Sequence, residues 1–286
     1  MTPPGPSTTP PAAVPGLLAG LVDDAGLFPP TSLHMADALR RHLADQAARH
    51  PMLSHRFLCP ASRLAELRGP LSGGQRVRVG LIADTGVDGL ADALAEIRVD
   101  PRLEIALLEV PLAAVPGDEK GAIAAVRAVT GGLAVPSFFE PASYDRVART
   151  VQVLEGDEGL KLRCGGVRAG LFPSAPSLAG AIVTAVAASV AFKATAGLHE
   201  AIRHHDPHTG FTHHGYLNLL LATGEAAAGA EPYDVRTALE LTDPGAVIAR
   251  LRRLDGPRVR RSLVSYGSCS TATPIEQARE LGLEEG

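Results

Sequence analysis

Eight short apolar, β-branched runs recur along the chain, each followed by a stretch with helical spacing. The runs cover residues 17–22, 55–59, 77–83, 103–110, 132–138, 159–164, 190–194 and 262–266. The helical patterns between them cover 32–50, 61–68, 86–97, 118–129, 142–154 and 177–188, with further helices over 214–228, 235–241 and 244–254. Strands that alternate with helices run parallel, because a parallel pair needs a long crossover. Eight such units in a chain of 286 residues is the size and count of a closed (β/α)8 barrel. An open doubly wound sheet is the competing architecture. It is disfavoured because no Gly-x-Gly-x-x-Gly turn follows the first strand. The expected organisation is a disordered Pro/Ser/Thr-rich leader over 1–15 and one barrel domain over 16–286, with a His-rich insertion after strand seven.

Composition removes several function classes. A net charge of −4 without a basic patch gives no case for nucleic acid. No apolar run reaches the roughly 18 residues expected of a bilayer span, and the N-terminus lacks the pattern of a secretory signal. Three well-separated cysteines, Cys59, Cys164 and Cys269, fit a reduced, cytoplasmic protein. The expected partner is a small carbonyl compound, with no nucleic acid and no membrane. A homo-oligomer is compatible with the sequence.

Of 27 Lys+Arg residues only Lys120, Lys161 and Lys193 are lysine. Two of these three lie inside apolar runs, on strands six and seven. Arginine cannot release its proton in a protein, whereas lysine can, and a neutral amine attacks carbonyls. In a (β/α)8 barrel the chemistry sits at the C-terminal strand ends. Those ends carry Asp23 and Asp24, Cys59, Asp84, Glu109, Glu140, Lys161 and Arg163, Lys193 and Thr195, and the segment from Tyr266 to Ser270. Carboxylates and two lysines at one mouth suit proton transfer around an imine. The plain alternative is that both lysines pair with carboxylates and do no chemistry.

The series resembles the deoxyribose-phosphate aldolase group of class I aldolases. The similar stretches are Asp23-Asp24-Ala25-Gly26-Leu27-Phe28-Pro29-Pro30, Leu108-Glu109-Val110-Pro111, Lys161-Leu162-Arg163-Cys164-Gly165, Lys193-Ala194-Thr195-Ala196-Gly197 and Gly267-Ser268-Cys269-Ser270. Leu162, Arg163 and Cys164 depart from the small hydroxyl residues of that family, which points to a different substrate. The stretches from Ala25 to Pro30 and from Phe192 to His199 are also similar to those of a little-described group of bacterial barrels, from which no function is carried over. The resemblance implies a lyase acting on a small aldehyde or keto acid, phosphorylated or not. In it Lys161 is the Schiff-base nucleophile, and Lys193 depresses its pKa toward neutrality. Glu109, Asp24 and His199 move protons. Arg163, Gly165, Gly166, Thr195, Gly197, Gly267 and Ser268 hold substrate, and no cofactor or metal is implied.

Six of the ten histidines fall between His199 and His214. This segment follows strand seven and is expected over the mouth. It supports a second hypothesis, a metal-dependent hydrolase or isomerase with His199, His214 and Glu109 or Glu140 as ligands. A third is a barrel that binds a metabolite without catalysis. The paired glycines after strands six to eight suit either an anion cradle or ordinary tight turns.

Overall fold

Eight parallel strands close on one another in a computed structural model that describes residues 14–131 and 133–283. In chain order the strands are β1 (Val22–Asp24), β2 (Leu53–Pro60), β3 (Val77–Ile82), β4 (Leu103–Pro111), β5 (Ser137–Glu140), β6 (Glu158–Arg163), β7 (Phe192–Thr195), β8 (His204–His205), β9 (Thr212–His213) and β10 (Leu263–Ser268). Around the barrel the order is β1-β10-β7-β6-β5-β4-β3-β2, and β8 pairs only with β9, as an antiparallel ribbon. Helices alternate with the barrel strands, so the fold is a (β/α)8 barrel.

Alternation along each strand divides the side chains into two sets. Leu108 and Val110 of β4, Leu160 and Leu162 of β6, and Phe192 and Ala194 of β7 face outward into the helix layer and are buried there. The helix Ala175–Ala187 covers part of this layer through Leu178, Ala181, Ile182 and Ala185. The apolar segment 169–187 that contains it is, contrary to the sequence reading, long and apolar enough to cross a membrane by length and composition. Helix Tyr216–Ala227 is buried on almost every side, because helices Pro232–Glu240, Pro244–Leu251 and Gly256–Ser262 pack around it.

Several boundaries differ from expectation. The run at 17–22 is not a strand. Val14–Leu18 is a helix, Gly20 turns the chain at φ +60, and β1 begins only at Val22. The leader over 1–15 falls on residues of which 1–13 lie outside the described residues, and Val14 and Pro15 open that helix. Residue 132 of the fifth run also lies outside the described residues. β5 starts at Ser137, directly after Pro136, which has no N–H to give a strand ladder. Helices Gly256–Ser262 and Ala272–Glu280 have no counterpart among the helices expected from the sequence. The first carries the arginine-rich stretch 258–261, and Asp255 caps it by accepting from the Arg258 N–H.

Candidate active site

The inward faces of the strands place charge inside the barrel, where most such folds place apolar side chains. Lys193 of β7 is fully buried, and its Nζ donates to Asp23 Oδ2 of β1 at 2.8 Å and to Glu109 Oε1 of β4. The other oxygen of Glu109 faces Lys161 of β6, at 2.7 Å from Nζ. Lys161 Nζ also lies 3.1 Å from Glu140 Oε2 of β5, whose Oε1 accepts from Arg163 Nε at 2.6 Å. At the far end Asp23 Oδ1 accepts from Arg56 Nε at 2.7 Å and from the Ser54 hydroxyl at 2.5 Å, and its Oδ2 from the Ser265 hydroxyl at 2.7 Å. The result is one alternating series, Arg56, Asp23, Lys193, Glu109, Lys161, Glu140, Arg163.

This array fixes the protonation of its members. Burial raises the carboxyl pKa of Glu109, but Lys161 and Lys193 outweigh it and leave the group below the ordinary range. Glu140 is likewise held low against burial by Lys161 and Arg163, and Asp23 by Lys193 and Arg56. For Lys161, burial works to lower the pKa, yet Glu109 and Glu140 prevail and the amine sits above its ordinary value. This corrects the expectation of a depressed Lys161. The two ammonium groups share one carboxylate and so lie well within the roughly 10 Å screening length at 0.1 M salt. The carboxylates between and beside them decide the sign.

Above the array, at the C-terminal strand ends, lies a cavity of about 570 Å³. That is the size of a small-molecule site. Lys161 and Glu109 line it, whereas Lys193 does not. Its walls are largely apolar, with Phe28, Leu58, Ile82, Val167 and Leu171. Arg163, Thr195, Gly166, Gly197, Gly267 and His199 also line it, as the sequence placed them. The β8–β9 ribbon adds Asp206, Thr209, Phe211 and His213, so the His-rich segment does sit over the mouth. Phe211 packs on Phe172, with ring centroids 4.9 Å apart, and Phe172 meets the edge of His213 at 4.8 Å. Ala196, also in the lining, has φ +60, a conformation seldom adopted by a residue with a side chain.

Four sequence assignments do not hold. Asp24 points away from the lysines because it follows Asp23 on the strand. It instead pairs with Arg41, lies 3.3 Å from His42 Nδ1 and accepts the Gly26 N–H at 2.9 Å. Asp23 is the residue the β1 end supplies. Ser268 also faces outward, and its hydroxyl donates to the Ser270 carbonyl. Gly165 lies outside the lining. A Cβ on Gly165 would stand 2.7 Å from Gly197 Cα, and one on Gly197 2.8 Å from Gly165 Cα, so these two glycines let the ends of β6 and β7 approach. His214 turns away from the cavity, to the Pro173 carbonyl and Arg203, and burial lowers its pKa to about 4. The set of His199, His214 and a glutamate therefore does not assemble. Among the described residues no group of three or more His, Cys, Asp or Glu side chains has metal-binding geometry.

The cavity wall also holds a pair that no sequence spacing signals. His199 Nδ1 lies 3.4 Å from Cys269 Sγ, and both line the wall. Burial lowers the His199 pKa and so favours the neutral ring. Cys59 and Cys164 are buried outside the cavity, with thiol pKa values pushed up to about 12 by that burial. In comparison with known proteins, the chain matches no family model, no curated protein and no solved structure.

Proposed function

We propose that the protein is a lyase in which Lys161 forms a Schiff base with a small carbonyl compound and makes or breaks the adjacent carbon–carbon bond. The observation that carries this is the position of Lys161. It is a buried lysine on the floor of a small-molecule cavity, flanked by two ionised carboxylates. The resemblance to deoxyribose-phosphate aldolases supports the same assignment, with Lys161 on strand six.

The chemistry follows from the charges. Lys161 rests as an ammonium. On binding, Glu140 or Glu109 takes one proton, and the free amine attacks the carbonyl carbon. The π pair moves to oxygen, which is protonated and leaves as water. The iminium that results carries its positive charge where the ammonium carried it, between the same two carboxylates. The field that raises the lysine pKa therefore stabilises the protonated imine. The iminium then draws in the electron pair of the bond between its α and β carbons, which leaves an enamine on Lys161. Neutral His199, also in the cavity wall, takes the hydroxyl proton of the departing β carbon. Lys193 takes no part in bonding to substrate. It holds Glu109 in position and offsets its charge.

The test is intact-mass measurement after borohydride reduction in the presence of short aldehydes and keto acids. Wild type gains one adduct. Lys161→Arg keeps a cation in the array and loses the adduct, because guanidinium is no nucleophile. Equal labelling of Lys161→Arg and wild type would refute the assignment. The three buried, unpaired thiols support a cytoplasmic setting for this activity.

A further inference from the structure

We infer that the carbonyl compound accepted here is a short 2-oxo acid, whose carboxylate is held by the Arg163 guanidinium while Lys161 attacks the adjacent carbonyl. The inference rests on the Schiff-base role of Lys161 and adds the substrate class.

Arg163 follows Lys161 by two positions on β6, so both side chains share the inner face, about 6–7 Å apart along the strand. Both line the cavity. Arg163 Nε is anchored by Glu140 Oε1 at 2.6 Å, which fixes the plane of the guanidinium. Its Nη1 and Nη2 have no hydrogen-bond partner among the described residues, and the side chain is 37% exposed. Two parallel N–H groups on a fixed plane match the two oxygens of a carboxylate.

The charge series points the same way. It alternates from Arg56 to Arg163 with four cations against three carboxylates, and its cavity end is a cation. An anion on Arg163 continues the alternation. A neutral aldehyde leaves the Nη1 and Nη2 donors of that guanidinium unused in a wall that is otherwise largely apolar. The other carboxylate on the rim, Asp206, is held by its own turn, accepting from the His208 N–H and the Thr209 hydroxyl. A phosphate would ask for more donors than one guanidinium fork, and Gly165 and Gly197, which an anion cradle would use, are small because they pack on each other. The apolar wall leaves room for a short alkyl or hydroxyalkyl tail beyond the carbonyl.

The test compares borohydride trapping of the full chain with pyruvate, acetaldehyde and glyceraldehyde 3-phosphate. Wild type should trap pyruvate faster than either aldehyde, although aldehydes are the stronger electrophiles. Arg163→Met should lower the ratio of pyruvate to acetaldehyde trapping on the order of tenfold or more, and Arg163→Lys should recover part of it. A wild type that prefers either aldehyde, or an unchanged ratio in Arg163→Met, would overturn the inference. Calorimetry with oxamate, a carboxylate that forms no imine, separates the two claims. If no compound gives an adduct but oxamate binds wild type and not Arg163→Met, the Schiff-base role fails and the carboxylate site stands. If oxamate binds both equally or neither, the carboxylate site falls.

Discussion

Lys161 and Lys193 are neighbours in register on adjacent strands and share one carboxylate, yet they occupy different environments. Lys193 lies in the closed interior, with Asp23 and Glu109 as partners and no exposed surface. Lys161 lines the cavity, with Glu109 and Glu140 as partners and 4% of its side chain exposed. The same ion-pair chemistry therefore serves two ends. At the closed end it is a structural charge network. At the cavity end it places an amine, and Glu109 beside it, in the lining of the cavity. On the Schiff-base proposal, what separates the structural lysine from the reactive one is access rather than charge.

The largest expected difference between the two is in stability. Lys193→Met leaves Glu109 with Lys161 and Asp23 with Arg56, but it strips a partner from Asp23 in the closed interior, away from the cavity, and should cost about 3–5 kcal/mol. Lys161→Met leaves Glu109 with Lys193 and Glu140 with Arg163, and the cavity admits water to the gap, so it should cost roughly 1–3 kcal/mol. Urea unfolding of both variants measures this. Equal costs would remove the distinction.

Next in size is the response to pH. The Lys161 pKa is raised, so its contribution to stability is complete below the ordinary lysine value and fades as pH climbs through the raised one. Asp23, Glu109 and Glu140 are held low, so theirs is complete above the ordinary carboxylate range and fades as pH falls through the lowered values. The array's own contribution should thus be flat between roughly pH 5 and pH 10, but Tm itself should already fall below about pH 7, where His199 and His214 are held neutral by burial, and above about pH 9, where the buried Cys59 and Cys164 are held as thiols. Trapping should quicken as pH rises, since the amine must lose its proton. Glu140→Gln removes one of the charges that keep Lys161 protonated, and should move the trapping profile to lower pH. A profile that stays in place would show that Glu140 has no hold on Lys161.

The smallest effect concerns the residue behind β1. Asp24→Asn should weaken the contact with Arg41 and His42 and lower Tm, while imine trapping keeps the wild-type rate. A loss of trapping would return Asp24 to the site.

The barrel was legible because each strand is a short apolar run with its own helical partner, and an outward face of Val, Leu and Phe cannot be hidden in sequence. The strand-end charges were legible too, since Glu109, Lys161 and Lys193 interrupt apolar runs. The choice between Asp23 and Asp24 was not. Both are polar, and a one-residue change of register exchanges the two faces of a strand. The direction of the Lys161 pKa was also hidden. It depends on Glu140, 21 residues earlier in the chain, arriving at 3.1 Å through the pairing of β5 with β6. The β8–β9 ribbon has only two residues per strand, too few for any periodic signal.

The central claim is that access selects Lys161 over its buried neighbour. The most direct measurement is peptide mapping of the borohydride-reduced adduct formed with pyruvate. The whole added mass should fall on the peptide that carries Lys161 and none on the one that carries Lys193. An adduct on Lys193, or label spread over both lysines, would contradict it.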